Sequence, residues 1–68
     1  MEKFAKVIKE LREEKELTKT ALANALGLSH TAIVNWENGL KVPSIFTLIK
    51  IADFFDVSLD VLVGRKEF

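Results

Sequence analysis

Residues that begin and end α-helices divide this sequence into short segments. Serine or threonine, the residue types that cap helix N-termini, precede four of these segments: Thr18, Ser29, Ser44 and Ser58. Glycine, which ends helices in the left-handed conformation, stands at Gly27, Gly39 and Gly64. An earlier segment has the i, i+3, i+4, i+7 pattern of one buried helix face, in Phe4, Val7, Ile8 and Leu11. No segment alternates as a strand would. We therefore predict an all-α fold of five helices, at about residues 2–15, 19–26, 30–38 and 45–55, with a short last helix from Leu59 that ends at Gly64.

The composition fits one compact domain spanning residues 1–68 and excludes several classes of protein. The chain is 49% hydrophobic and has only three glycines and one proline, which indicates a packed core. It has no cysteine, and His30 is its single histidine, so we expect no disulfide, metal or other cofactor. No apolar run approaches the ~20 residues that cross a bilayer, so we expect a cytoplasmic protein. We also expect no enzyme, because no nucleophile–base pair, phosphate loop or purposeful carboxylate pair is evident.

The balance of charge limits how this chain could bind nucleic acid. Ten Lys and Arg residues balance ten Asp and Glu residues, and the sequence pI is about 6.6. A protein that binds DNA through its phosphates alone is expected to be basic. If this chain binds DNA, contacts to bases, helix N-termini and dimerisation must carry more of the affinity.

The predicted second and third helices are joined by a three-residue turn, Gly27-Leu28-Ser29, which is typical of a helix-turn-helix motif. On the third helix, uncharged residues share one sector of about 140° at 100° per residue: His30, Thr31, Val34, Asn35 and Asn38. The opposite side carries Ala32, Ile33 and Trp36, which we expect in the core. Amide, hydroxyl and methyl groups suit base edges in the major groove. The alternative is that short polar residues serve only solubility.

Residues 8–64 resemble the phage-repressor-like (Cro/repressor, XRE-type) helix-turn-helix family. The resemblance is carried by Leu11-Arg12-Glu13-Glu14-Lys15, Leu17-Thr18, Leu22-Ala23, Leu26-Gly27-Leu28-Ser29, Ile33, Trp36-Glu37-Asn38-Gly39, Pro43-Ser44, Thr47-Leu48, Ala52 and Val57-Ser58-Leu59-Asp60. It implies a five-helix, lambda-repressor-like domain whose helix-turn-helix, at about 18–38, places the third helix in the major groove.

The resemblance also implies roles for individual residues. Base contacts would come from His30, Thr31 and Asn35, with Val34 as a methyl contact. Phosphate contacts would come from Asn38 and Lys41 at the far end of the third helix, and from Thr18 and Lys19 at the start of the second. Lys19 stands where the family usually has glutamine. Asp56 occupies the turn before the last helix, where many relatives have glycine, so we expect a conformational cost at Asp56.

Glu37 places a negative charge in the last turn of the third helix, where it opposes the helix dipole. In the family an arginine on the first helix compensates, and Arg12 matches it. We expect an ion pair that holds these two helices together, rather than a contact between Arg12 and DNA.

The C-terminal part carries more apolar residues than one buried stripe needs. Ile45, Leu48, Ile49, Ala52 and Phe55 are the predicted core face of the fourth helix, and Ile51 falls partly off it. We interpret Phe46, Phe54, Val61 and Val63, with Phe68 beyond them, as a homodimer surface within residues 44–68. A monomer with scattered exposed apolar residues is the alternative.

These features favour a transcriptional regulator, most simply a repressor, and the family resemblance implies a regulator of a phage, prophage or plasmid. A twofold dimer would place two recognition helices ~34 Å apart on a palindromic operator. Few residues follow the last helix, so we expect no sensing domain, and regulation through protein concentration, a partner protein or competition for the operator. The alternative is a protein-interaction module, or antitoxin-like partner protein, with weak or no DNA binding; zero net charge and surplus apolar surface favour it.

Overall fold

The computed structural model describes residues 2–66, with side chains from residue 3 onward; Phe68, assigned above to the apolar surface, lies outside this range. Five α-helices and no strand form within it: α1 (Glu2–Glu14), α2 (Lys19–Leu26), α3 (His30–Glu37), α4 (Ile45–Phe55) and α5 (Leu59–Leu62). The predicted all-α, five-helix fold is confirmed. α1 and α3 end one residue earlier than expected, and α5 ends at Leu62, before Gly64.

Four hydroxyl side chains begin the helices that follow α1, as the sequence predicts. Thr18, Ser29, Ser44 and Ser58 each accept a hydrogen bond from the backbone N–H three residues later, at 3.0, 3.3, 3.2 and 3.1 Å. Each bond satisfies one of the N–H groups that a helix start leaves without an intrahelical partner. The starts of α2, α3, α4 and α5 are therefore determined locally.

Left-handed residues end α2 and α4. Gly27 has φ 71° and donates its N–H back to the last turn of α2. Asp56 plays the corresponding part after α4 with φ 55° and ψ 47°. This conformation costs a residue with a Cβ more than it costs glycine, so the expected strain is present at Asp56.

The core is one cluster to which all five helices contribute side chains. Its fully buried large side chains are Phe4, Ile8, Leu22, Leu26, Ile33, Ile51 and Leu62. Trp36 is also buried, with its ring centroid 6.2 Å from that of Phe4 in an edge-to-face arrangement. The assignment of Trp36 to the core, rather than to an exposed base platform, is confirmed.

The buried face of α4 differs from the predicted one. Ile51 is fully buried, whereas Ile49 is 43% exposed and Ile45 is 55% exposed. Leu48, Ile51, Ala52 and Phe55 form the observed face. These four residues also follow an i, i+3, i+4, i+7 pattern, so α4 has two overlapping apolar faces. Packing against the other helices selects the one that contains Ile51.

Two residues of the predicted dimer surface are less available than expected. Val61 and Val63 are half-buried, and Val63 packs against the core cluster. The reason is that the short α5 and its following turn fold back onto the bundle. None of the described helices is long and apolar enough to span a bilayer.

Candidate nucleic-acid interface

The corner between α2 and α3 is held by backbone hydrogen bonds and by the core. The N–H of Leu28 donates to the carbonyl of Ala23 at 2.8 Å, and its side chain packs against the core cluster. Ser29 then caps α3. Because both helix ends at this corner are satisfied within the chain, α3 is presented in a fixed orientation relative to α2.

The outer face of α3 has the uncharged character that its sequence predicts. His30, Thr31 and Asn38 are exposed, while Val34 and Asn35 are half-buried. Among residues 3–66, the side chains of these five residues have no hydrogen-bond partner. The imidazole, hydroxyl and amide groups are therefore available to a ligand along one side of the helix.

The N-terminus of α2 lies on the same helix-turn-helix unit. Thr18 is exposed and accepts the N–H of Ala21 at 3.0 Å, while its own hydroxyl hydrogen can still donate. Lys19 follows as the first residue of α2 and is half-buried. A helix N-terminus combines free N–H groups with the positive end of the helix dipole, which favours an anion such as phosphate.

Carboxylates are almost absent from the segment that carries these residues. Between residues 17 and 52 the sequence contains one, Glu37, against three lysines, Lys19, Lys41 and Lys50. The Glu37 side chain is only 3% exposed and is paired. The segment that contains the helix-turn-helix therefore has no exposed carboxylate, although the chain as a whole has no net charge. The sequence alone contains this signal, although net charge obscures it.

Arg12 and Glu37 form the ion pair that the sequence predicts between α1 and α3. The Nε of Arg12 donates to Glu37 Oε2 at 2.7 Å and Nη2 donates to Oε1 at 3.1 Å. The remaining Nη1 donates to the carbonyl of Leu17 at 2.8 Å. The hydrogen bond to Glu37 raises the pKa of Arg12, and burial opposes it. Arg12 thus donates three hydrogen bonds within the chain, and its side chain is only 11% exposed.

Lys50 ties α4 to the end of α2, a role that sequence analysis missed. Its Nζ donates to the carbonyl of Leu26 at 2.6 Å. A cation at a helix C-terminus meets both an unsatisfied carbonyl and the negative end of the dipole. The two residues are 24 positions apart, so no local pattern could have indicated the contact.

Large apolar side chains are exposed along residues 40–49, which follow α3 in the chain. We call the set formed by Leu40, Val42, Ile45, Phe46 and Ile49 the apolar edge. Leu40 is 71% exposed and Phe46 is 80% exposed. Of the residues predicted for dimerisation, Phe46 belongs to this edge and Phe54 is exposed elsewhere on α4, with its ring against that of Phe55. In residues 3–66 no group of His, Asp or Glu side chains could hold a metal ion.

Comparison with known proteins gives one family. A helix-turn-helix family model matches residues 8–62. The chain is 43% identical over 60 residues to the ImmF control region 10 kDa protein of Bacillus phage phi105, a match that covers 88% of the chain and 67% of that protein. It is 31% identical over 64 residues to the cryptic phage CTXphi transcriptional repressor RstR of Vibrio cholerae, covering 94% of the chain and 58% of the repressor.

A third relative is named as a transcriptional activator, in contrast to the repressor above. The chain is 39% identical over 64 residues to the HTH-type transcriptional activator BcrR of Enterococcus faecalis, covering 94% of the chain but 31% of the activator. Longer relatives of this kind therefore share only part of their length with the chain. No solved structure is significantly similar to it.

Proposed function

Because this chain belongs to the helix-turn-helix family, whose model covers residues 8–62, we propose that it regulates transcription by binding a specific duplex DNA sequence with α3 in the major groove. The observation that carries the proposal is the outer face of α3. It offers uncharged hydrogen-bonding groups on a segment without an exposed carboxylate. Such groups can distinguish base edges, whereas a lysine-rich face would bind phosphate regardless of sequence.

Each residue of this face, and each of its neighbours proposed above, has a role in this proposal. His30, Thr31 and Asn35 read base edges, and Asn35 has the amide that pairs with adenine through two hydrogen bonds. Val34 contacts a thymine methyl. The phosphate contacts are Thr18, Lys19, Asn38 and Lys41, which flank the reading face at the start of α2 and the end of α3.

We further propose that the chain acts in the cytoplasm as a homodimer on a palindromic site, through a surface within residues 44–68. Phe46 and Phe54 contribute exposed aromatic area, and the half-buried Val61 and Val63 contribute less. Repression is the simplest outcome, since a protein seated on a promoter excludes other proteins. The name of the phage repressor among the relatives supports it, and the activator marks the other possible outcome. We propose that the chain is a binding protein and not an enzyme.

Selection from a random duplex DNA library tests base reading. We expect enrichment of a palindrome, which Asn35→Ala loses because it removes the amide. Asn24→Ala, an exposed amide on α2 outside the proposed contacts, should retain it. Affinity for the enriched site should depend on salt less steeply than that of a basic DNA-binding protein, because two lysines per protomer give a log–log slope of only about −4 for a dimer. No enrichment at low salt, with the fold intact, would contradict the proposal.

One observation favours a second candidate, a protein-interaction module that retains the fold. The apolar edge leaves large side chains in water along residues 40–49, in a chain with no net charge. The same selection separates the candidates, since a module without DNA binding enriches nothing while staying folded.

A further inference from the structure

A basic groove lies between α1 and the turn that follows α5. Its volume is about 580 Å³. Lys3 and Lys6 line it from α1, and Arg65 and Lys66 line it from the turn. Glu10 is the one carboxylate among the described lining residues, and Val7 provides apolar surface. Four of the ten basic residues of an electrically balanced chain therefore meet in one depression.

The turn that brings the two sides together is built by the chain itself. The carbonyl of Asp60 accepts the N–H of Arg65 at 2.7 Å and that of Lys66 at 3.2 Å. Gly64 has φ +81°, and a Cβ there would collide with the side chain of Lys3. Glycine therefore serves two needs, a left-handed turn and a close approach to α1. The juxtaposition of the cations follows from this packing and not from their positions in the sequence.

Few carboxylates among the described residues accompany these four cations. The carboxylate of Asp60 lies 3.9 Å from Arg65, but the Arg65 side chain is 79% exposed and that of Asp60 is 46% exposed, and such a solvated pair contributes little. Asp60 and Glu10 are thus the two carboxylate neighbours of the four cations within residues 3–66. Among residues 3–66, the groove thus has more cations than carboxylates.

The groove opens away from the proposed DNA-reading face. Lys3 and Arg12 are nine positions apart on α1, which at ~100° per residue places them about half a turn out of phase. Arg12 points toward Glu37 of α3. The Lys3 side of α1 therefore faces the opposite direction, so a molecule in the groove would leave α3 free.

We propose that this groove binds a short acidic segment of a partner protein, independently of whether α3 binds DNA. Its volume lies within the ~300–1,000 Å³ of clefts that hold small ligands, which suits a few residues of extended peptide rather than a duplex. Clusters of basic side chains recognise acidic motifs in this way. Arg65 offers a planar fork to a carboxylate, the lysines offer point charges, and Val7 offers contact for one apolar side chain.

The test uses the full chain and a labelled hexapeptide of Asp and Glu with one central leucine. Its control is the same peptide with Asn and Gln in place of the acids. Fluorescence anisotropy measures affinity, and amide NMR shifts locate the contact. We expect the acidic peptide to bind and to shift Lys3, Lys6 and residues 64–66, and the amide peptide to bind at least about tenfold more weakly.

Paired variants separate the groove from net charge. Lys6→Gln with Lys66→Gln removes two groove cations and should weaken peptide binding about five- to tenfold. Lys9→Gln with Lys15→Gln removes the same charge from exposed positions outside the groove and should change binding less than about twofold. Equal losses in both pairs, shifts confined to α3, or no binding would overturn the proposal. Displacement of the peptide from the groove by a short duplex of unselected sequence would also overturn it, in favour of nucleic acid.

Discussion

Arg12 and Glu37 connect α1 to α3 through an ion pair between two nearly buried side chains. The arginine gives two hydrogen bonds to the carboxylate and one to the carbonyl of Leu17, just before α2. One side chain thus fixes the C-terminal end of the proposed reading helix and the entry to the preceding helix. Of the two ion pairs found among residues 3–66, this is the buried one.

Glu37→Gln should lower the free energy of unfolding by about 3–5 kcal/mol, because it leaves the buried charge of Arg12 without its partner. The measurement is urea unfolding followed by circular dichroism. Glu13→Gln, an exposed neighbour of Arg12 on α1, is the control and should cost less than about 1 kcal/mol. A cost for Glu37→Gln as small as that of the control would show that the pair is not important for stability.

The same pair predicts a pH dependence with a definite sign. The folded-state pKa of Arg12 is raised, so the stability that Arg12 contributes is fully present below its unfolded-state pKa. It is lost only as the pH rises through the higher folded-state value. Titration of Arg12 should therefore cause no loss of stability through the neutral and mildly alkaline range.

Asp56 is the second residue whose conformation makes a prediction. Its φ of 55° is a position that glycine occupies at lower cost. Asp56→Gly should raise the free energy of unfolding by roughly 0.5–1 kcal/mol. Asp53→Gly, an exposed position inside α4, should lower it by about 1 kcal/mol, because glycine weakens a helix interior. The two variants should thus move the thermal midpoint in opposite directions; the same direction for both would refute the argument from backbone strain.

At the scale of elements, the helix starts connect stability with the proposed function. Four hydroxyl caps begin four helices, but the cap of α2 also lies at a proposed phosphate contact. Lys50 completes the opposite end of α2 from a distant helix. α2 is therefore fixed at both ends by side chains, which keeps its N-terminus in place beside α3.

Thr18→Ala should lower both stability, by about 1 kcal/mol, and affinity for the selected DNA site, because it removes a cap and a proposed phosphate contact. Ser58→Ala removes the equivalent cap of α5 and should leave DNA affinity unchanged in folded protein. Chemical denaturation and DNA titration measure the two quantities. Equal DNA affinities for the two variants would remove Thr18 from the interface.

At the scale of the whole molecule, charge and apolar surface are distributed unevenly. The segment of residues 17–52 lacks exposed carboxylates, the apolar edge occupies residues 40–49 within it, and the basic groove opens on the far side of α1. A balanced overall composition thus contains three distinct surfaces. Exposed aromatic side chains on α4 remain the strongest argument for association with a second copy.

Phe46→Glu should weaken self-association without unfolding the protein, because the phenyl ring is 80% exposed. Sedimentation equilibrium should then show a dimer for the original chain and a monomer for the variant. Thr20→Glu places the same charge at an exposed position on α2 and should remain dimeric. If the original chain sediments as a monomer at high concentration, the dimer proposal fails.

The sequence by itself determined the helices and the face of α3. Capping acts between residues three positions apart, and the helical periodicity of polar and apolar residues along a short helix is equally local. Residues 30–38 could therefore be assigned an outer and an inner side without coordinates. The partner of Glu37 came from the family resemblance.

Only the tertiary structure decided the features that depend on distant parts of the chain. α4 has two overlapping apolar faces, and packing chose the one with Ile51 over the one with Ile49. The return of the turn after α5 to α1 buried part of Val63 and gathered four cations into a groove. The contact from Lys50 to Leu26 spans 24 residues. Each outcome depends on which surfaces meet in three dimensions, and periodicity within one helix carries no information about that.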